Sequence, residues 1–160
     1  MSRKGPIKPR EITPDPIYQS VLVQKIINAS LIGGKKISAQ KQVYQALEIL
    51  KKENPKDEVA TLVDQALENI RPKIEVRPRR IGGAVYQVPT PVRRHRQDSL
   101  AVRWLIANSR KLPNKQFHSF GLKLANELTL ALKSEGTSVA KRAEIERMAD
   151  ANKAFAHLRW

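Results

Sequence analysis

The chain has no cysteine, so it holds no disulfide and no cysteine metal site. Its three histidines, His95, His118 and His157, stand far apart, and nothing in their spacing resembles a set of metal ligands. No apolar run approaches the ~20 residues of a membrane span. No amphipathic stretch sets Trp or Phe against a one-sided basic face, so a membrane is not an expected partner. Residues 1–6 are too few and too polar for a signal peptide, and the protein is expected to act where it is made. Catalytic constellations are missing too. Gly33-Gly34-Lys35-Lys36 lacks the first glycine and the spacing of a phosphate loop. Glu144 and Glu146 are two apart and point to different helix faces. Neither an enzyme nor a cofactor is expected, and the acidic residues read as solvated surface.

Negative charge is the other scarcity. Asp and Glu number 15 against 30 Lys and Arg, a net charge of +15 with a pI near 10.4. Such an excess repels itself in a compact chain, and a polyanion partner accounts for it, because neutralised phosphates release counterions. The excess is uneven. Residues 1–36 carry a net +5, residues 37–70 a net −2, residues 71–96 a net +7 and residues 97–160 a net +5. A near-neutral stretch therefore separates strongly basic ones, and the basic segments read as the contact surface.

At 160 residues the chain is read as one domain, residues 1–160. Residues 1–13, basic and dotted with Pro6 and Pro9, read as a flexible arm. Asp15-Pro16 reads as a helix start, with Tyr18, Val21, Leu22, Ile26 and Ala29 at helical spacing and Gly33-Gly34 as the stop. A second helix is expected from about Ser38 to Asn54-Pro55. A third, after Asp57, carries Val59, Leu62, Val63, Ala66, Leu67 and Ile70. The period then changes to two in Ile74-Glu75-Val76-Arg77 and Val85-Tyr86-Gln87-Val88, around the turn signal Ile81-Gly82-Gly83-Ala84. Pro78, Pro89 and Pro91 confine these strands to a two-stranded ribbon, residues 73–91, read as an arm projecting from a helical body. Helices resume at Asp98-Ser99, at about Lys115 and at Thr137-Ser138. The last carries Val139, Ala143, Met148, Ala149, Phe155 and Ala156 as its inward residues. The expected fold is mainly α, a bundle of about six helices with a protruding two-stranded β-hairpin between the third and fourth.

The hairpin is the best candidate contact for nucleic acid. Arg77 and Arg79 share one strand face, Arg80 lies on the other, and Gly82-Gly83 allows close backbone approach. Guanidinium groups bind phosphate bidentately and stack on bases, and Tyr86 offers a ring. Arg93-Arg94-His95-Arg96 is a basic run before a helix, and Arg3, Lys4, Lys8 and Arg10 punctuate the N-terminal arm. Lys35 and Lys36 sit at a helix–helix turn, and Arg142 lies on the polar side of the last helix. The plain alternative at each position is a solvated charge. Trp104, on an apolar stripe, reads as core. A DNA-binding regulator is the rival class, although no helix–turn–helix with base-reading residues is evident. An enzyme acting on RNA would need the constellation that is missing.

Several long motifs, in order, resemble the small-subunit ribosomal protein seven family in its bacterial and organellar form. They are Asp15-Pro16-Ile17-Tyr18, Gly34-Lys35-Lys36, LENIRPKIEVRPRRIGGAVYQVP at 67–89, LAVRWLI at 100–106 and MADANKAFAHLRW at 148–160. The resemblance implies a helical protein with a protruding hairpin, a primary binder of the 3′ (head) domain of small-subunit rRNA that nucleates head assembly. It places Arg77, Arg79, Arg80, Gly82 and Gly83 near the exit site, beside tRNA and mRNA. Lys35, Lys36 and the N-terminal arm would fall on rRNA. Neighbouring head and platform ribosomal proteins are implied as partners. The implied location is the ribosome, in bacterial cytoplasm or in an organelle. Some bacterial members of the family repress their own message. Lys111 to Phe120 reads a few residues longer than in typical members.

Overall fold

The structure, a computed structural model, describes Gly5 and residues 11–159. The order is α1 (Val21–Ser30), α2 (Lys36–Glu53), α3 (Val59–Ile70), β1 (Ile74–Ile81), β2 (Ala84–Pro91), α4 (Arg94–Lys111), α5 (Phe120–Leu132) and α6 (Thr137–Ala151), closed by a 3-10 helix at Lys153–Leu158. The expected helical bundle is therefore present, with its antiparallel hairpin between α3 and α4.

The core is built from one stripe of each of the first five helices. Ile26 and Ile27 of α1, Leu47 and Leu50 of α2, Leu67 and Ile70 of α3, Leu105 of α4, and Leu124 and Leu128 of α5 are fully buried. α5 lies at the centre, packed on α2, α3 and α4. Its approach to α2 depends on Gly121. A Cβ there would sit 2.8 Å from the Gln42 carbonyl oxygen, and the Gly121 N–H donates to Gln42 Oε1 at 2.9 Å. The α3 stripe follows the sequence reading residue for residue. Leu67→Ala should lower the unfolding free energy by ~2–5 kcal/mol, as a fully buried leucine leaves a cavity. Urea denaturation measures it, and a loss below ~1 kcal/mol would show that the site collapses around the smaller side chain.

Four boundaries differ from expectation. Asp15 does not cap α1. Its Oδ2 accepts from the Ile17 and Tyr18 N–H groups at 3.1 Å each, closing an isolated turn, and its Oδ1 accepts from Tyr44 Oη at 2.7 Å. Gln19 then takes a left-handed φ of 47°, and the helix starts only after Ser20, whose side chain caps Val23 N. α5 begins at Phe120 rather than near Lys115, because Ser119 caps it and Lys123 Nζ ties down the preceding loop through the Leu112 carbonyl and Asn114 Oδ1. α6 ends at Ala151, so Phe155 and Ala156 fall in the 3-10 helix beyond it, and Ala143, Met148 and Ala156 are exposed, not inward. α6 lies outside the core against β1, and only its Ser138 and Ala149 are buried. Its first turn is held by Glu127 of α5. The Glu127 Oε1 atom accepts from Thr137 Oγ1, Ser138 N and Ser138 Oγ at 2.8–2.9 Å, a carboxylate placed where the helix dipole favours one.

The fourth difference is the largest. α4 starts at Arg94, four residues before the expected Asp98, so Arg94, His95 and Arg96 form its first turn. Three basic-type residues at a helix N-terminus oppose the dipole, which hides the start from a reading based on capping preferences. Tertiary carboxylates offset them: Glu68 of α3 pairs with Arg94 at 3.0 Å and Glu75 of β1 with Arg96 at 2.8 Å. Val92 N to Lys73 O and Gln97 Nε2 to Val92 O, both 3.0 Å, fix the chain's entry.

Candidate nucleic-acid interface

The hairpin turns in two residues. Gly82 and Gly83 have φ of 56° and 87°, the pair of positive values that matches the twist of the flanking strands. A Cβ at either glycine would meet nothing within 4 Å, so backbone conformation, not space, requires them. The register pairs Arg79 with Tyr86, Arg77 with Val88 and Glu75 with Thr90. Facing pairs share a side, so these residues form one face, and Arg80, Val85 and Gln87 belong to the other.

The first face is not free along its length. Val88 is fully buried, and the rings of Tyr86 and Phe155 lie 5.2 Å apart, so the closing 3-10 helix covers part of Tyr86. α6 and the 3-10 helix both pack on the hairpin. The reading of the ribbon as an arm projecting from a helical body holds only for its tip: the root is docked, while Arg80, Gly82, Gly83, Ala84 and Val85 are exposed. Sequence periodicity marks the strands but says nothing of which distant element covers them. Arg80→Ala should change stability by no more than ~0.5 kcal/mol, and Val88→Ala should cost about 1–3 kcal/mol. Equal melting temperatures for the two variants would contradict this division of the hairpin.

The basic side chains around the root are held by carboxylates. Arg77 Nε donates to Glu75 Oε1 at 2.6 Å, and Arg96 Nε reaches Glu75 Oε2 at 2.8 Å. Arg93, exposed, stands at the N-cap of α4 beside Arg94. Arg142 is half-buried and faces inward in part: its Nε pairs with Glu146 and its Nη1 donates to the Asn69 carbonyl, tying α6 to α3. Lys35 and Lys36 are exposed in and just after the α1–α2 loop, where Gly33 and Gly34 take positive φ. Arg79 is half-buried. Arg3, Lys4, Lys8 and Arg10 lie outside the described residues.

Two further arginines join these groups. Arg103 and Arg110 are exposed on α4, seven and fourteen residues after Arg96, and so lie two and four turns along the same face. Arg103 and Arg110 line a groove between α1 and α4 with Lys25 and His95. Arg110 also borders a second hollow with Lys35, His118 and Lys123, donates to the Ser30 carbonyl at 3.1 Å and lies 5.9 Å from the Phe120 ring. A basic strip thus runs from the hairpin root along α4 to the α1–α2 loop. The seven-residue spacing of arginines was the signal for it, but it is legible only once α4 is known to begin at Arg94.

Beneath the strip, buried charges are structural. Asp98 accepts from Lys25 Nζ and Arg71 Nε at 2.8 Å each, and Arg71 also pairs with Asp64 and Glu68. The reading of the acidic residues as solvated surface is corrected for Asp15, Glu75, Asp98 and Glu127, all buried. Burial pushes the Asp98 carboxyl up, but the Lys25 bond and the Arg71 charge outweigh it and hold the group below the usual aspartate range. Tyr44 is pushed up to about 12 by burial and by its bond to Asp15. Both shifts belong to satisfied ion pairs or hydrogen bonds, not to a poised catalytic group. Among the described residues no group of three or more His, Cys, Asp and Glu side chains could hold a metal, and no helix is long and apolar enough to cross a membrane.

Over residues 2–153 the chain matches the family described as ribosomal protein S7p/S5e. The chain belongs to that family. Its similar relatives are bacterial proteins named small ribosomal subunit protein uS7. That of Sulfurihydrogenibium sp. (strain YO3AOP1) is 49% identical over 160 residues, and that of Aliivibrio salmonicida (strain LFI1238) 49% over 160. That of Dictyoglomus thermophilum (strain ATCC 35947 / DSM 3960 / H-6-12) is 48% identical over 163. Each match covers 100% of both chains. Family membership makes the protein a structural, non-enzymatic ribosomal constituent acting in translation, and sets aside the DNA-binding regulator and the RNA-modifying enzyme.

Proposed function

We propose that this chain is a primary binder of the 3′ (head) domain of small-subunit rRNA and nucleates assembly of the head. The hairpin lies near the exit site, against tRNA and mRNA, and neighbouring head and platform ribosomal proteins pack on surfaces away from the strip. The observation that supports this reading is the strip itself, Arg77, Arg96, Arg103, Arg110 and Lys35 carried on the hairpin, α4 and the α1–α2 loop around one core. Such an array suits a folded RNA, whose phosphates lie on a fixed surface, better than a flexible strand. Bacterial relatives matched over their full length support the ribosome of a bacterial cytoplasm as the location.

Filter binding to separate transcripts of the 3′ and 5′ domains of small-subunit rRNA tests it. The 3′ domain should bind at least ~10-fold more tightly, a floor set well below the roughly thousandfold or greater margin of specific over non-specific binding. Equal affinities would leave a general polyanion binder. Sucrose-gradient cofractionation of the native protein with the small subunit checks the assembled state.

A further inference from the structure

Residues 71–96 hold eight basic side chains and one acidic one, Glu75. A carboxylate is out of place in a surface that attracts phosphate, and this one is also 7% exposed. Burial of a charge is costly unless it is paired. Glu75 is paired twice, from two different elements. Its Oε1 accepts from Arg77 Nε on β1 at 2.6 Å and from Arg96 Nε on α4 at 3.0 Å, and its Oε2 from Arg96 Nε at 2.8 Å. Because both arginines reach the same Oε1 atom, their guanidiniums are neighbours. Each arginine side chain remains 50% exposed.

The donor inventory decides what this arrangement can do. A guanidinium has five N–H groups. Arg77 directs Nε and Nη2 at Glu75, and Arg96 directs Nε. The remaining nitrogens of both have no acceptor among the described residues. Two adjacent cations with spare donors, held by one buried carboxylate, offer a fork for a single phosphate. Glu75 itself is fixed. Its strand pairs with Thr90, whose Oγ1 donates to the Glu75 carbonyl at 3.4 Å, and the Val92 N–H to Lys73 O bond joins the hairpin root to α4.

We propose that Glu75 is a positioning residue for RNA binding: it holds Arg77 and Arg96 together as one clamp for a backbone phosphate at the junction of hairpin and α4. The carboxylate counteracts the mutual repulsion of the two cations and removes rotamer freedom before RNA arrives, which is preorganisation. The inference rests on the RNA-binding function above and adds a residue that does not touch RNA itself.

The test turns on the sign of one effect. Simple charge counting says that Glu75→Gln, which removes a negative charge, tightens RNA binding. Positioning says that it weakens binding, by about three- to tenfold, the size of one ordinary net hydrogen bond. Affinities of the full chain, of E75Q, of the pair R77A/R96A and of the triple variant are measured by filter binding. The probes are the 3′-domain transcript and an unrelated structured RNA of equal length. The clamp predicts that E75Q weakens binding to both RNAs and that the effect vanishes in the R77A/R96A background. Unchanged or tighter binding by E75Q overturns it, and so does a weakening that persists without the two arginines, which marks a general structural role. Absence of preference for the 3′ domain by the wild type overturns the rRNA assignment, not the clamp, which is read equally on the unrelated RNA. Should E75Q not fold, Arg96→Lys carries the test: the charge is kept and the exposed site is undemanding, so a threefold or greater loss supports the fork geometry and wild-type affinity refutes it.

Discussion

Asp98→Ala is expected to lower the unfolding free energy by ~3–5 kcal/mol, the range for breaking a buried ion pair by removing one partner. Asp98 is 8% exposed and receives Lys25 from α1 and Arg71 from the end of α3, while itself sitting on α4. Without it, Arg71, whose side chain is 4% exposed, keeps only Asp64 and Glu68, both more than half exposed. Lys25 loses its single ion-pair partner among the described residues. The same pairs predict a pH dependence. Asp98 and Glu68 are held below their ordinary values by their cations, despite burial acting the other way. A carboxyl depressed in the folded state contributes stability that is present in full above its unfolded pKa and is lost as pH falls through the folded value. Wild-type stability should therefore be flat above about pH 5 and fall below the ordinary carboxylate range near pH 4. In Asp98→Ala the acid limb should be shallower. Urea melts at about pH 7 and about pH 3.5, on either side of that range, measure both effects. A loss under ~1 kcal/mol at neutral pH, or an unchanged acid limb, would mean that solvent already satisfies Arg71 and Lys25.

This network also shows where the sequence was legible and where it was not. The α3 stripe from Val59 to Ile70 and the Gly82-Gly83 hairpin are local patterns, one of period 3.6 and one of period two, and both appear as read. The start of α4 is not local. Arg94 and Arg96 are poor first-turn residues, and they are tolerated because Glu68 and Glu75 approach from other elements. Missing that start hid the alignment of Arg96, Arg103 and Arg110 on one helix face. Asp15, Glu75, Asp98 and Glu127 look like ordinary surface acids in sequence, since nothing nearby in the chain reports a partner 10 to 73 residues away. Lys25 and Asp98 stand at the far end of that range. Of the candidate contacts, charge and turn chemistry singled out the hairpin and the Arg93–Arg96 run. Their division into exposed tip, docked root and carboxylate-held arginines required the fold.

Between about 50 and 200 mM monovalent salt, affinity for the 3′-domain transcript should fall by about a thousandfold, as for a protein neutralising roughly six phosphates. The exposed cations of the strip and the hairpin, among the described residues, are Arg77, Arg80, Arg93, Arg94, Arg96, Arg103, Arg110, Lys35 and Lys36. Arg77, Arg94 and Arg96 already share Glu75 and Glu68, so each neutralises less than a full phosphate charge. Two carboxylates among nine cations leave a net of about seven charges, enough for roughly six neutralised phosphates. Arg103 is the clean probe, because it is exposed, has no ion-pair partner among the described residues and lies mid-strip. Arg103→Ala should weaken binding to any RNA sequence and reduce the slope of log affinity against log salt by about one. It should leave the melting transition of the free protein in place. A wild-type slope shallower than about −2 would show that the strip does not track phosphates. An Arg103→Ala slope equal to the wild type's would confine the contact to the hairpin end of α4 and break the continuity on which the interface is drawn.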